Sequence, residues 1–300
     1  MNWDWEGFTK TFGYQIGIEG PIVNVKSLHG GCINQAFAFS SKTNNQKYFI
    51  KINSSNLLWM FQAEYDALSQ IKSTIDHSDI IVCPKPILTG TYKEHSFLLL
   101  DCLNLLNTSK SSSDWNALGR GLASLHSCRK DIFGWHRKST IGSTPQPNNQ
   151  CDNWIEFWTE HRLLHQVKLA YDSGFSINGF DRIISKIGEL FKNYDPYPSL
   201  IHGDLWSGNV GFEAGGKPAI FDPASYCADR EAEFGIIHMF GGFPDEFFNG
   251  YDSILKRSDD FFRRKYLYQV YHELNHLNLF GGSYLPSVLS SVKKILTEIA

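Results

Sequence analysis

Short runs of apolar, β-branched and aromatic residues alternate with clusters of Gly, Ser and Asn through the first hundred residues of the chain. Runs of this length, bounded by such clusters, predict β-strands. Between two of the runs, Phe61, Glu64 and Leu68 recur at helical spacing and predict a helix over residues 57–71. The predicted strands are 22–28, 35–39, 47–52 and 96–100. This part of the chain is therefore expected to form a small antiparallel sheet with one helix.

Helical spacing of apolar residues dominates the remaining two-thirds of the chain. One stripe starts at Trp115, and Ser113 or Asp114 is placed to cap its helix. A loop rich in Ser, Thr, Pro and Asn (139–150) interrupts the pattern, and irregular loops of this length are commonly functional. Further helices are predicted over residues 152–172, 180–193, 230–239, 260–280 and 284–299.

The polar stretch 104–113 (NLLNTSKSSS) separates the strand-rich part from the helical part. Exposed polar segments of this kind are typical of lobe boundaries. We therefore predict an α+β fold with two lobes, a small antiparallel-sheet N-lobe over residues 1–103 and a larger helical C-lobe over residues 104–300. A small sheet lobe hinged to a helical lobe is a shape found in nucleotide-binding proteins.

Composition excludes several classes of protein. The 300 residues carry a formal net charge of −3, so no basic excess predicts binding to nucleic acid. The longest apolar stretch, 97–106, is interrupted by Asp101 and Asn104 and is too short to span a membrane. The N-terminus lacks the cationic and apolar blocks of a signal peptide. Six scattered cysteines without a CxxC pair indicate reduced thiols and a cytoplasmic location.

The clearest chemistry lies in residues 201–209 (IHGDLWSGN) and 218–222 (PAIFD). An Asp and an Asn with four residues between them, after a His, match the H-x-D-x4-N loop of phosphotransferases. Asp204 can accept a hydrogen bond from an attacking hydroxyl and take its proton, while Asn209 and Asp222 offer oxygens of the kind that Mg²⁺ prefers. A polar loop with Asp204 as a helix cap is the alternative. The spacing of all three residues along the chain favours a kinase catalytic loop.

A kinase site also needs a cation at the phosphates of ATP. Lys51 lies in the apolar strand 48–52 (YFIKI), which resembles the V-A-I-K strand of kinases. Glu64 lies between Phe61 and Leu68 on one helix face, where an unpaired buried carboxylate would be costly. An ion pair between Lys51 and Glu64 would satisfy both residues and direct the ammonium group to the α- and β-phosphates. An exposed lysine with a solvated glutamate is the alternative.

Two further segments are candidates for contact with ATP. Gly30 and Gly31 lie between two predicted strands, where backbone amides could approach phosphate oxygens, although a plain turn fits them equally well. Asp101, Cys102 and Leu103 fall where an interlobe hinge would offer backbone groups to adenine.

Several segments resemble the ketosamine kinase family, also called fructosamine kinases. They are HGDLWSGN, IFDPASYCADREAEF, FGGFP, YHELNHLNLFGG, FGW (133–135), STPQPN (143–148) and WIEFWTEHRLLHQ (154–166). The wider resemblance is to aminoglycoside phosphotransferases and choline kinases, which share a two-lobed protein-kinase-like fold. After Asp222 the chain has Pro-Ala rather than Phe-Gly, and no A-P-E follows. A protein kinase switched by loop phosphorylation is therefore disfavoured.

The resemblance implies an enzyme that phosphorylates the 3-hydroxyl of a ketosamine, with ATP and Mg²⁺ bound in the cleft between the lobes. Such a 3-phosphate breaks down and frees the amine, which is deglycation. The implied partner is a small-molecule ketosamine or a glycated protein lysine, with no nucleic acid and no membrane, and the oligomeric state is left open. Asp204 becomes the catalytic base, and Trp206 an apolar wall for the sugar. The resemblance makes Asn209 and Asp222 the metal ligands. It makes Lys51, paired with Glu64, the phosphate anchor.

A competing pattern lies at residues 272–276 (HELNH), which match the zinc-protease motif H-E-x-x-H. Zinc needs a third ligand, and Glu298, downstream of the motif near the C-terminus, is a candidate for it. We favour a helix that places His272, Asn275 and His276 along the sugar pocket. The alternatives are a zinc metalloprotease, a kinase acting on an aminoglycoside, choline or another alcohol, and a non-catalytic ATP-binding module.

Two residues near the predicted site have open roles. His202 is expected to support the catalytic loop rather than act as a second base. Cys32 lies in the Gly-rich segment, where a positive field would lower the pKa of its thiol, so a redox-sensitive and intermolecular disulfide is a hypothesis.

Overall fold

The computed structural model describes residues 3–18, 20–28, 33–43, 45–106 and 111–300. The chain folds into two compact units. The first unit contains Met1–Lys72 and Cys83–Asn104, and the second contains Ser73–Val82 and Leu105–Ala300. Gly30, Gly31 and Cys32 lie outside the described residues.

The first unit is built on one antiparallel five-stranded sheet with the strand order β1-β2-β3-β5-β4. The strands are β1 (Ile22–Leu28), β2 (Gln35–Ser41), β3 (Lys47–Ser54), β4 (Pro86–Tyr92) and β5 (His95–Asp101). The helices that begin in this unit are α1 (Trp5–Ile16) and α2 (Leu58–Ile75), with a 3-10 turn at Ser55–Leu57 before α2.

Side chains along β3 alternate between the two faces of the sheet, so neighbouring residues have different surroundings. Ile50 and Ile52 belong to an apolar core that includes Phe8 of α1 and Phe97 of β5. Successive strand residues point to opposite faces, so Lys51 lies on the other face of the sheet. This separates the lysine from the core and leaves it available to α2.

The second unit is mainly helical. Its helices are α3 (Ser112–His126), α4 (Trp154–Trp158), α5 (His165–Asp172), α6 (Phe180–Lys186), α7 (Phe234–Met239), α8 (Asp245–Asp252), α9 (Phe261–Phe280) and α10 (Leu285–Glu298). A π-helical segment, Thr159–Leu164, joins α4 to α5. Helix α3 packs on α8, and α9 packs on α7 and α10. Gly119 makes the first contact possible, since a Cβ there would lie 2.0 Å from the Phe247 carbonyl oxygen.

Three short antiparallel strand pairs in the second unit support the loops between its helices. They are β6 (Ser139–Ile141) with β7 (Thr144–Gln146), β8 (Ser199–Ile201) with β11 (Tyr226–Ala228), and β9 (Val210–Phe212) with β10 (Pro218–Ile220). The first pair lies in the segment 139–150, which the sequence predicted to be irregular. Each pair is three residues long per strand, which is too short for hydrophobic periodicity to reveal.

The cap predicted for the first helix of the second unit is wrong by two or three residues. Ser111, rather than Ser113 or Asp114, is the N-cap of α3. Its side chain accepts a hydrogen bond from the Asp114 amide, and the Asp114 carboxylate accepts one from the Ser111 amide. Asp114 is therefore the third residue of the helix and the partner of Ser111 in a capping box. Ser113 and Asp114 look equally suited to the cap because both have short polar side chains.

His238 on α7 is half-buried and lies away from the loop that carries Asp204. Its ring stacks on Phe248, and no hydrogen-bond partner reaches its Nε2 within the described chain. Burial, together with the charges of Lys265 and Arg257, lowers the pKa of His238 to about 3. The imidazole is therefore neutral in the folded protein across the physiological range.

The described residues bear on two predictions, the absence of a membrane-spanning segment and the reduced state of the cysteines. No helix among them is both long enough and apolar enough to cross a membrane. None of the five described cysteines, Cys83, Cys102, Cys128, Cys151 and Cys227, is in a disulfide.

Candidate active site

The loop that carries Asp204 begins where β8 ends, and Gly203 makes its first turn possible. Gly203 has φ 83°, a left-handed conformation that residues with a Cβ rarely adopt. A Cβ at this position would also lie 2.4 Å from the Ala224 carbonyl oxygen. The sequence His-Gly-Asp therefore turns sharply, with Gly203 packed against Ala224 in the segment after Asp222.

Asn209 holds Asp204 through its side-chain amide. The Asn209 Nδ2 donates to the Asp204 backbone oxygen at 2.8 Å and to its Oδ2 at 3.1 Å. Because the amide nitrogen faces Asp204, the atom of Asn209 that remains for a cation is its oxygen Oδ1. One residue thus positions the predicted base and presents a neutral oxygen.

Asp204 is half-buried. Its surroundings therefore favour the protonated carboxyl group more than bulk water would. Burial raises the pKa of Asp204 well above its usual range. The hydrogen bond from Asn209 opposes this rise, and the charges of Asp222 and Glu233 add to it. A carboxylate with a raised pKa is a better proton acceptor for an alcohol than an ordinary surface aspartate.

Asp222 follows β10 and stands in the left-handed region with φ 58°, which is uncommon for a residue other than glycine. Its side chain is exposed. Backbone strain of this kind concentrates at functional sites, where the surrounding structure holds it. The preceding residue, Phe221, donates its amide to the Asn209 backbone carbonyl at 3.2 Å, and the Asp222 carboxylate is close enough to affect the pKa of Asp204. An exposed carboxylate and an amide oxygen are donors of the kind that fits Mg²⁺.

His202 is fully buried and connects the two halves of this loop region. Its Nδ1 accepts a hydrogen bond from the Asp204 amide at 3.3 Å, so its Nε2 carries the proton and donates to the Phe221 carbonyl at 2.9 Å. Burial lowers the pKa of His202. A neutral ring with both nitrogens engaged supports the loop, as the sequence suggested, and is not placed to act as a second base.

Glu233 is a buried carboxylate behind the loop that sequence reasoning missed. Its oxygens accept hydrogen bonds from the amides of His202 at 2.6 Å and Gly203 at 2.9 Å, and one oxygen lies 3.3 Å from the His126 Nε2. Burial alone would raise its pKa, but the hydrogen bond from His126 and the neighbouring groups outweigh burial, so the pKa of Glu233 is lowered. Glu233 therefore fixes the backbone immediately before Asp204 as a carboxylate. Helical periodicity assigns it to a buried face but cannot name its partners.

In the first unit, the predicted pair of Lys51 and Glu64 forms. The Lys51 Nζ lies 2.6 Å from the Glu64 Oε1, and the two side chains are 8% and 14% exposed. Helix α2 thus supplies a carboxylate to the sheet face that carries Lys51. A partly buried pair of this kind fixes the direction of the ammonium group.

The predicted adenine-binding segment lies at the end of β5. The Asp101 amide donates to the Lys85 carbonyl at 3.0 Å, and the Cys102 amide donates to the Lys47 carbonyl at 3.3 Å. Among the bonds of the described residues, the Leu103 amide donates to no backbone carbonyl. If this segment contacts adenine, the donor of the three is therefore Leu103.

Trp206 lies in the loop that carries Asp204, two residues beyond it. Its ring stacks on Phe240, with centroids 4.9 Å apart and an interplanar angle of 30°. The ring also lies against Gly208, where a Cβ would lie 2.3 Å from the Trp206 Cζ2. These two neighbours, Gly208 and Phe240, define a slot for the Trp206 ring.

The residues of the H-E-x-x-H pattern lie on α9 and differ in their surroundings. His272 is 3% exposed, and no hydrogen-bond partner reaches its Nδ1 within the described chain. Asn275 is buried and bonds to Gln166 at 3.2 Å. The His276 Nδ1 lies 2.8 Å from the His272 carbonyl, and its ring packs against Phe240 at 5.4 Å. His276 therefore adjoins the ring that stacks on Trp206, whereas Asn275 braces helices.

The zinc alternative lacks support in this geometry. No group of three His, Cys, Asp or Glu side chains placed to hold a metal ion occurs among the described residues. Glu273 bonds to Gln269 and Ser287 through its Oε1, and Glu298 lies 3.5 Å from Arg263. The pattern therefore belongs to helix packing.

Arg162 and its partners form a buried layer that sequence reasoning could not assign. The guanidinium group stacks 3.9 Å over the Tyr226 ring and donates to Asn148 at 2.7 Å. Gln146 donates to the Ala224 carbonyl at 3.1 Å and accepts from the Tyr271 hydroxyl at 2.6 Å. The STPQPN segment is thus tied to the backbone after Asp222, which explains why a loop of this composition is ordered.

The comparisons with known proteins agree with one another. The family model described as fructosamine kinase matches residues 5–298. A "Probable ketoamine kinase" of Synechocystis is 38% identical over 97% of this chain and 97% of its own length. A chloroplastic protein-ribulosamine 3-kinase of Oryza sativa subsp. japonica is 38% identical over 92% of this chain and 79% of its own.

Solved structures support the same grouping. A "Putative fructosamine-3-kinase" from Haemophilus somnus superposes with a TM-score of 0.85 at 27% identity, covering 96% of both chains. Structures of aminoglycoside phosphotransferases and choline/ethanolamine kinases share the fold at 16% and 12% identity. The prediction of an α+β, two-lobed, protein-kinase-like fold is confirmed.

Proposed function

The chain belongs to the fructosamine kinase family and is a phosphotransferase that uses ATP, and from this premise we propose that it phosphorylates the 3-hydroxyl of a ketosamine. The observation that carries the proposal is the half-buried Asp204, held by Asn209 and close to Asp222. The predicted alternatives, an aminoglycoside or choline kinase and a zinc protease, are not favoured.

Asp204 is proposed as the catalytic base. Its carboxylate accepts a hydrogen bond from the sugar hydroxyl, orients the oxygen for in-line attack and takes the proton as the bond to phosphorus forms. Asn209 and Glu233 act as positioning residues, since one bonds to the Asp204 carboxylate and the other to the backbone before it.

Asn209 and Asp222 are proposed to hold Mg²⁺. The oxygen of one amide and one exposed carboxylate suit a hard cation that keeps several waters and phosphate oxygens as its other ligands. When bound, Mg²⁺ neutralises the charge of the phosphates.

Residues 1–103 are proposed to form the nucleotide-binding lobe, and residues 104–300 the catalytic and substrate lobe. Lys51, directed by Glu64, would contact the phosphates, and the Leu103 amide would contact adenine beside Asp101 and Cys102. Trp206 would contact the apolar face of the sugar, with His276 nearby. Gly30 and Gly31 stay predictions for phosphate contact. Given their buried positions, His272 and Asn275 are proposed only as supports of the pocket wall.

The test is Mg²⁺- and ATP-dependent release of ADP with ribulosyl-lysine and fructosyl-lysine as acceptors, and with choline and an aminoglycoside as comparison acceptors. We expect turnover on a ketosamine and background rates on the comparison acceptors. The Asp204→Ala variant should lose turnover and still bind ATP. Turnover on choline or the aminoglycoside alone would overturn the proposed substrate class, and substantial turnover by Asp204→Ala would overturn the proposed base.

A further inference from the structure

An aromatic row runs along one surface of the second unit from the candidate active site to the start of α10. It begins with Trp206, which stacks on Phe240. Phe240 contacts the His276 ring with centroids 5.4 Å apart, and His276 contacts Phe280 at 5.4 Å and Tyr284 at 5.1 Å. These five residues come from the catalytic loop, the end of α7, α9 and the turn before α10, so four separate segments converge on one aromatic surface.

Two rings of this row are exposed to solvent. Phe240 is 42% exposed and Phe280 is 57% exposed. Single exposed apolar residues are ordinary, but contiguous exposed rings are typical of binding surfaces. Phe240 adjoins Trp206, which lies two residues from Asp204, and Phe280 is linked to Phe240 through the His276 ring, so the surface is continuous with the site where the sugar hydroxyl would react.

The row is also uncharged. Burial lowers the pKa of His276 below its ordinary value, so its ring is neutral near pH 7. Its Nδ1 faces the His272 carbonyl, which leaves Nε2 as the acceptor. The surface therefore suits an apolar or aromatic group, and it also suits a protonated amine because aromatic faces attract cations.

We infer that the part of the aromatic row beyond Trp206, formed by Phe240, His276, Phe280 and Tyr284, binds the substituent on the amine nitrogen of the ketosamine and favours substituents that carry an apolar or aromatic group. The inference rests on the proposed function. In a ketosamine the nitrogen is bonded to C1, two carbons from the C3 hydroxyl. A sugar whose C3 hydroxyl lies at Asp204 and whose apolar face lies on Trp206 therefore places its amine substituent away from the base, and the aromatic surface continues from Trp206 to Phe240.

The test compares two acceptors that share the sugar and the reacting hydroxyl and differ only in the amine, the ribulosamines of phenethylamine and of ethanolamine. The wild-type enzyme should have a lower KM for the phenethyl acceptor. The Phe280→Ser variant should raise that KM about two- to tenfold, the range expected for loss of one aromatic contact, and leave kcat and the KM of the ethanolamine acceptor unchanged. Phe280→Leu, which keeps an apolar side chain, should recover part of the difference.

Phe262 provides the matched control, since it lies on the same helix, is 68% exposed and is not part of the row. Phe262→Ser should leave both KM values unchanged. Equal KM values for the two acceptors in the wild type, or an equal effect of Phe280→Ser on both, would overturn the inference while the proposed function stands. A shift of oligomeric state in Phe280→Ser, with KM unchanged, would assign the row to contact between copies of the chain. Absence of turnover on any ketosamine would instead overturn the proposed function.

Discussion

The Glu233→Gln variant would remove the negative charge behind the loop that carries Asp204 while leaving the side-chain shape almost unchanged. Glu233 is 1% exposed, and its two oxygens face three donors, the amides of His202 and Gly203 and the His126 Nε2. Glutamine has one acceptor oxygen. If that oxygen faces His202 and His126, the new amide nitrogen faces the Gly203 amide, so two donors oppose each other.

The cost follows from this arrangement. A buried backbone amide that loses its acceptor costs about 1–3 kcal/mol, and the remaining bonds lose the contribution of the charge. We expect a loss of about 2–4 kcal/mol in the free energy of unfolding. For a unit of this size, that corresponds to a fall of roughly 5–15 °C in Tm. Because the loosened backbone leads directly to Asp204, kcat should also fall about tenfold or more at 25 °C, where the variant stays folded.

Thermal unfolding and steady-state kinetics on the same preparation measure both effects. Glu189→Gln is the control, since Glu189 pairs with Lys192 at the surface of the same unit and should change stability by less than about 0.5 kcal/mol. A Glu233→Gln variant with wild-type Tm and wild-type kcat would refute the role of this carboxylate in holding the loop.

Three further variants test separate parts of the account. Lys51→Met should lower kcat/KM for ATP about 10- to 100-fold, since it removes a charged hydrogen bond worth about 1.5–3 kcal/mol, and an unchanged kcat/KM for ATP would contradict the phosphate anchor. Gly208→Ala should displace the Trp206 ring and raise the ketosamine KM without changing ATP binding measured by calorimetry, and a wild-type KM would show that the slot is not used. His238→Phe should flatten the pH dependence of stability. The pKa of His238 is about 3 in the folded state and about 6.5 in the unfolded state, so the unfolded chain binds the extra proton as pH falls. The wild type should therefore lose about 1.4 kcal/mol more free energy of unfolding than the variant between pH 7.5 and 5.5, as measured by urea unfolding. Parallel pH profiles for the two proteins would contradict this.

Periodicity predicted the elements that bury one face over several turns or several strand residues. The strand predicted over residues 22–28 coincides with β1, and the helix predicted over 260–280 is α9 (Phe261–Phe280). It missed α1 (Trp5–Ile16), because aromatic residues at its positions do not favour a helix until they pack on the sheet. It also missed β4 (Pro86–Tyr92), where an edge strand begins at a proline.

The candidate site divides in a similar way. Asp204, Asn209 and the Lys51–Glu64 pair could be predicted because their spacing along the chain or around a helix reflects their chemistry. Glu233 could not, because its contacts depend on how distant segments fold together. Phe240 lies in the FGGFP segment that resembles the family, but the resemblance assigns it no contact, so its place in the aromatic row could be recognised only from the structure.

The most direct test of the central claim is the position of the phosphate on the product. A ¹H–³¹P correlation spectrum, recorded soon after the enzyme converts ribulosyl-lysine with ATP and Mg²⁺, identifies the carbon whose oxygen received the phosphoryl group. The account predicts coupling between phosphorus and the proton on C3 of the sugar. Coupling at another carbon, or inorganic phosphate beside an unmodified ketosamine, would contradict it.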